Sequence, residues 1–178
     1  MAVDPAFSTT AALALGLLFV ASAVAKLRDP QAFVGTVANY RLLPMMLATP
    51  AAWVVIGVEL VVAVGLFLQR GDALAAAGLM LGGYAVAMGV NLLRGRTHID
   101  CGCLGFGGAH PTIGWDLVGR NLLLASAALA TGLLPRDPRA LGAADWISIL
   151  GAVVAGAFLY LCFEQLSAIK ARARMVRA

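Results

Sequence analysis

Charge is what this sequence has least of. Asp, Glu, Lys and Arg make up 12% of its 178 residues, against 61% hydrophobic residues. Mean hydropathy is +0.89. Soluble domains carry about a quarter charged residues, so the composition excludes one. The excess positive charge is also small, +4, and is spread over loops and the C-terminal tail. That balance fits a membrane surface and argues against a nucleic-acid partner. Only Asp4 precedes the first apolar run. The basic region of a secretory signal is missing, and a cleaved leader is not expected. No convincing internal repeat is present. Cysteine is scarce as well, three in all, two of them one residue apart.

What is there instead is a set of long apolar runs. A spanning helix needs about 20 predominantly apolar residues. Residues 5–25 carry no charge, 42–68 carry only Glu59, and 73–93 carry none. Residues 115–134 carry Asp116 and Arg120 near their start, and 146–163 carry none. These runs predict an all-α, polytopic membrane helix bundle with five transmembrane helices and a single membrane domain over 1–178. The core helices are expected at about 5–25, 50–68, 73–93 and 115–134, with a peripheral fifth at 146–163 and a basic tail over 164–178. Membrane lipids are then the first partner. Residues 26–41 place Phe33, Val34, Val37 and Tyr40 at helical spacing, which predicts a short amphipathic helix on the membrane surface. Gln69-Arg70-Gly71-Asp72 reads as a tight turn between antiparallel neighbours. Trp53, Trp115 and Trp146 fall near helix starts, where amphipathic rings favour the lipid–water interface. Gly78 and Gly82 are spaced for close helix packing, as are Gly151 with Ala155 and Ala152 with Gly156.

Two rules collide over orientation. With five crossings, residues 26–41, the cysteine segment and the tail share one side. Their Lys and Arg content makes that side cytoplasmic. Persistent disulfides belong on the other side. The side bearing the cysteines stays open.

Two places carry chemistry. Glu59 lies near the middle of the second run, where a lone charge costs roughly 2.5–3.5 kcal/mol on insertion scales. It must be protonated, hydrogen-bonded or paired inside the bundle. Arg120 is the expected partner, with Asn91 and Asn121 nearby, directly or through water. A polar clamp and a proton-handling group are both consistent with such a residue.

The second place is Cys101-Gly102-Cys103, inside the polar stretch from Arg94 to the fourth run. A disulfide across one intervening residue is strained and easily reduced, which suits a relay better than a staple. Arg94, Arg96 and His98 are close enough in sequence to favour a thiolate. The rival reading is a metal site built from His98, Cys101, Cys103 and His110, but this spacing is no standard zinc pattern and a metal is the less favoured reading. Cys162 is expected to be a packed core residue.

Three features carry a resemblance. The first run closes with Ser22-Ala23-Val24-Ala25-Lys26-Leu27, followed by Asp29-Pro30 and Phe33. The second holds Glu59, and the segment after the third reads Asp100-Cys101-Gly102-Cys103-Leu104-Gly105. Over roughly residues 12–134 the sequence resembles the MauE family of methylamine-utilisation membrane proteins, within the wider DoxX-like redox-associated group. The resemblance implies a multi-pass protein of the bacterial inner (cytoplasmic) membrane. It implies a four-helix core resembling vitamin K epoxide reductase and DsbB. It implies support for disulfide formation or electron transfer during methylamine dehydrogenase maturation, with a thioredoxin-like protein or oxidoreductase subunits as partners. Quinone is the implied cofactor. Cys101, Cys103 and Glu59 would be the reacting groups, with Lys26, Arg120, Asn91, Asn121, Arg94 and His98 in support. The chain departs from the quinone-coupled enzymes in having Cys-x-Cys for their Cys-x-x-Cys, and in lacking a second cysteine pair. If it is an enzyme, it is a thiol–disulfide oxidoreductase coupled to quinone. The alternative is a non-catalytic membrane anchor or assembly subunit of an oxidoreductase complex.

Overall fold

Helices account for the architecture of the computed structural model, which describes residues 2–97, 99 and 112–176. Among them are α1 (Pro5–Arg28), α2 (Pro30–Tyr40), α3 (Ala48–Phe67), α4 (Ala73–Leu93), α5 (Trp115–Leu133) and α6 (Ala143–Val176), with a single 3-10 turn at Met45–Leu47. The fold is all-α. Four of the described helical segments are long and apolar enough to cross a bilayer: Pro5–Arg28, Met45–Phe67, Ala73–Leu93 and Ala143–Phe163. These make the chain a multi-pass membrane protein.

Local chemistry sets the boundaries. Asp4 caps α1, accepting from the Ala6 amide at 2.8 Å, and Pro5 occupies the first turn where no amide donor is needed. Asp29 does the same for α2, accepting from the Ala32 amide at 2.9 Å ahead of Pro30. The Asp29-Pro30 pair therefore ends one helix and starts the next. α2 closes at Arg41, which takes a left-handed conformation with φ 47.

The core is drawn from four helices. Ala12, Leu15 and Phe19 of α1 meet Val62, Ala63 and Leu66 of α3, Leu74, Ala77 and Leu81 of α4, and Ala125 and Ala128 of α5. Small residues permit the closest approaches. A Cβ on Gly132 of α5 would stand 2.7 Å from the Ala75 backbone nitrogen, and one on Gly78 of α4 would stand 3.0 Å from the Ala125 carbonyl oxygen. The expected Gly78–Gly82 pair is therefore half right, because Gly82 faces open space. α6 packs mainly on α1 and buries only Ile149 and Val153 among its described side chains. Its Gly151 and Gly156 have nothing close to them.

Both ends of the bundle can be placed. At one end the Val3 amide donates to Pro135 O at 2.8 Å, and Arg136 donates to Gln69 O at 3.4 Å. The N-terminus, the α3–α4 turn and the α5–α6 connection thus lie together. At the other end the Ile113 amide donates to Ile99 O at 2.9 Å. Ile113 packs with Met88 and Leu117, and Ile99, Tyr40 and Phe163 lie against them. α5 runs from this second end to the first, as the apolar helices do, although Asp116, Arg120 and Asn121 lower its hydropathy.

Three expectations need correction. α1 continues through Lys26 to Arg28, so Lys26 belongs to the long helix and not to the surface segment. The last helix does not stop near 163 but runs to Val176, taking in most of the basic tail; Lys, Arg and Ala are good helix formers, and nothing there breaks the helix. Cys162 is exposed on α6, not packed in a core, because that helix touches the bundle only along a narrow stripe.

Candidate functional site

The site grows from two helical stripes. On α1, Ala12, Leu15, Phe19, Ala23 and Lys26 recur every three or four residues and all are buried. On α3, Ala48, Ala52, Ile56, Glu59, Val62 and Leu66 do the same. The two stripes face each other, so Lys26 and Glu59 meet inside the bundle. Lys26 Nζ lies 2.5 Å from Glu59 Oε1, with 5% and 0% of the two side chains exposed. Ser22, one turn before Lys26, accepts from Nζ at 2.6 Å and donates to Glu59 Oε1 at 3.0 Å. Tyr84 of α4 donates its hydroxyl to the same oxygen at 2.6 Å. Three donors from two helices therefore converge on one carboxylate oxygen. Such convergence offsets the several kcal/mol that each buried ion loses in leaving water. Lys26 Nζ also lies 5.1 Å from the centre of the Phe33 ring and 5.5 Å from that of Tyr84, where ring faces attract a cation.

A cleft of about 190 Å³ opens beside this pair. Its walls are Phe33, Thr36, Val37 and Tyr40 of α2, Leu42 and Leu43, Ala51 and Val55 of α3, and Ala87 and Met88 of α4. Lys26 and Tyr84 supply polar atoms at its inner end. Ala51 and Val55 lie one turn apart, so the walled stretch of α3 is about 6 Å long, and Glu59 follows one turn further along the same face. The amphipathic segment expected over 26–41 is thus realised as α2, and its apolar face covers a cleft between α3 and α4. An apolar molecule with a hydrogen-bond-accepting head matches this lining.

A second, smaller cavity of about 30 Å³ lies on the other side of the ion pair. Ser22, Glu59, Tyr84, Arg120, Asn121 and Tyr160 border it, with Leu18, Phe19, Leu81 and Leu124. Arg120 lies over the rings of Tyr160 and Phe163, at 4.9 and 5.7 Å from their centres.

The sequence-based site is therefore partly reassembled. Glu59 faces the interior, as expected. Its ion pair, however, is with Lys26 of α1 and not with Arg120, because the Lys26 stripe continues into the bundle where the run of uncharged residues had suggested an end. Arg120 and Asn121 share the small cavity with Glu59. Asn91 does not; it is buried two turns further along α4 and donates to the Ala87 carbonyl of its own helix at 3.0 Å. Asn121 likewise donates to Leu117 O at 2.9 Å. Arg94 is exposed at the end of α4. Ser22 and Tyr84 were missed. The signals available were a hydroxyl one turn before Lys26 and an aromatic hydroxyl inside an uncharged run. Cys101, Cys103, His98 and His110 lie outside the described residues, and so does the alternative metal set they would form. Among the described residues no group of three or more His, Cys, Asp or Glu could hold an ion. The chain leaves for the cysteine segment at Ile99 and returns at Ile113, beside Tyr40 and Met88 at the outer part of the cleft.

Comparison with known proteins gives a consistent answer. The family profile described as Methylamine utilisation protein MauE matches residues 4–135. The methylamine utilization protein MauE of Paracoccus denitrificans is 48% identical over 132 residues, covering 71% of this chain and 70% of that protein. The MauE protein of Methylophilus methylotrophus is 34% identical over 165 residues, covering 90% and 86%. That of Paracoccus versutus is 38% identical over 151 residues, covering 84% and 79%. No solved structure matches the chain. The matched span takes in α1 to α5, and with them Ser22, Lys26, Glu59 and Tyr84 as well as Cys101 and Cys103; the chain belongs to the MauE family.

Proposed function

We propose that this chain works in methylamine utilisation as a five-crossing protein of the bacterial inner membrane. There it supports the disulfide formation or electron transfer that matures methylamine dehydrogenase. Cys101 and Cys103 are the exchanging pair, and the Lys26–Glu59–Tyr84 cluster is the proton-handling group. The observation that carries this reading is the placement of that cluster at the inner end of an apolar cleft. The segment bearing the two cysteines leaves and rejoins the fold at the outer part of the same cleft.

The chemistry balances with a quinone as acceptor. Two thiols become one disulfide and give up two electrons and two protons; the quinone takes both electrons and both protons to become a quinol. A quinone is apolar enough to enter from the bilayer. Lys26, which donates to Ser22 and Glu59, has a further hydrogen to donate to a ring oxygen in the cleft. A thioredoxin-like protein or an oxidoreductase subunit would present the thiols to be oxidised.

The experiment is thiol trapping in untreated membranes. Cys101 and Cys103 are expected as a mixture of reduced and oxidised forms that shifts on addition of quinone. Replacing either by Ser should abolish dehydrogenase maturation as fully as replacing both, because groups that act as a unit are not additive. Thiols that never react, together with normal maturation in the double variant, would leave the chain as a non-catalytic assembly subunit.

A further inference from the structure

The Lys26–Glu59 pair is a partition between two spaces, and the residues bordering each space say so. Lys26 borders the cleft and not the small cavity, while Glu59 borders the small cavity and not the cleft. Tyr84 borders both. The two carboxylate oxygens are also used unequally. Oε1 accepts from Lys26, Ser22 and Tyr84. Oε2 is buried and accepts no hydrogen bond. A buried charged acceptor left without a donor is costlier than a neutral one in the same position. The cavity of about 30 Å³ beside it exceeds the roughly 10–15 Å³ that one water requires. Its border carries Glu59, Asn121, Arg120 and Tyr160, polar residues enough for the two to four partners that such a water needs.

We propose that this cavity is a water site and that Glu59 is a two-faced proton relay, joining water on the Arg120–Asn121 side to the cleft through Lys26 or Tyr84. The proposal deepens the reading above, since it gives the proton-handling cluster of the cleft a second face at which protons exchange with water. The step is proton transfer alone. The Glu59 carboxylate takes a proton from the water and passes it to Lys26 Nζ or the Tyr84 oxygen as that group gives its own proton to an acceptor in the cleft, so that each group ends as it began. The groups facing Glu59 are Ser22 and Lys26 from α1, Tyr84 from α4, Arg120 and Asn121 from α5, and Tyr160 from α6. Lys26 and Arg120 are the cations on its two sides.

The test follows protonation of Glu59 in full-length protein held in lipid nanodiscs. The carboxyl band is assigned by infrared difference against Glu59→Gln and followed after a rapid acid jump. Asn121→Leu fills the cavity and removes a polar partner, and should slow protonation by about a hundredfold, the low end of what a positioned proton carrier contributes. Leu124→Phe fills the same cavity from another wall and should act likewise if Asn121→Leu fails to fold. Ala87→Phe obstructs the cleft instead and should leave the rate unchanged. So should Cys101→Ser combined with Cys103→Ser, which removes thiol chemistry and keeps the two readings separable. Wild-type rates in both cavity-filling variants, or slowing by Ala87→Phe alone, would overturn the proposal.

Discussion

At the scale of single residues, the buried pair makes the sharpest demand. Removing one partner of a buried ion pair strands the other charge and typically costs about 3–5 kcal/mol, whereas replacing both with apolar groups is often neutral. Lys26→Met should therefore destabilise the protein by about 3–5 kcal/mol, and Lys26→Met with Glu59→Leu should recover most of the loss. Reversible unfolding in mixed micelles measures both, and additive effects of the two changes would refute the coupling. Tyr84→Phe deletes one donor to the carboxylate and keeps the ring, so the expected loss is smaller, about 1.5–3 kcal/mol. The same residues show what a sequence can disclose. Glu59 is legible because a carboxylate in an uncharged run has few options. Lys26 is less so, since a charge at the edge of a run reads as the start of a loop. Its place on the 12–15–19–23 stripe held the answer, but only the facing helix gives that stripe its meaning.

At the scale of elements, glycine decides how closely α4 and α5 approach. Gly132→Ala puts a methyl against the Ala75 backbone, which cannot step aside, and should cost about 1–3 kcal/mol as overpacking does. Gly82→Ala meets nothing within 4 Å and should leave the unfolding midpoint where it was. Equal effects of the two would place the contact elsewhere. The pattern Gly78-x-x-x-Gly82 announces a tight helix contact but not which glycine makes it or with what partner. Here the second glycine comes from α5. The Asp29-Pro30 break is legible in full, since a capping carboxylate followed by proline fits a helix start and little else. Where α2 then settles was not legible. Its apolar face suits a lipid surface as well as a cleft between α3 and α4, and only packing chooses between them.

At the scale of the whole molecule, the contacts of Val3 with 135–137 and of Ile99 with Ile113 set the two ends. Arg139 adds to the first end, donating to Asp145 at 2.7 Å and to Asp4 at 3.1 Å. These two acceptors, Asp145 before Asp4, raise the pKa of its guanidinium above the ordinary value. If α5 crosses the bilayer with the others, single cysteines introduced just before Trp115 and just after Leu134 should react with impermeant reagents from opposite sides. Labelling from one side only would reduce the count to four and invert the expected side of the N-terminus relative to the tail. α6 sets a further dimension. Its 34 residues extend about 50 Å, against roughly 30 Å of hydrocarbon. Phe163 is level with the neck of the cysteine segment, so the helix continues about 20 Å beyond it. A soluble protein gripping the tip of this mast would be held clear of the bilayer by that distance. Beneath it would remain headroom of the same depth over the neck of the bundle.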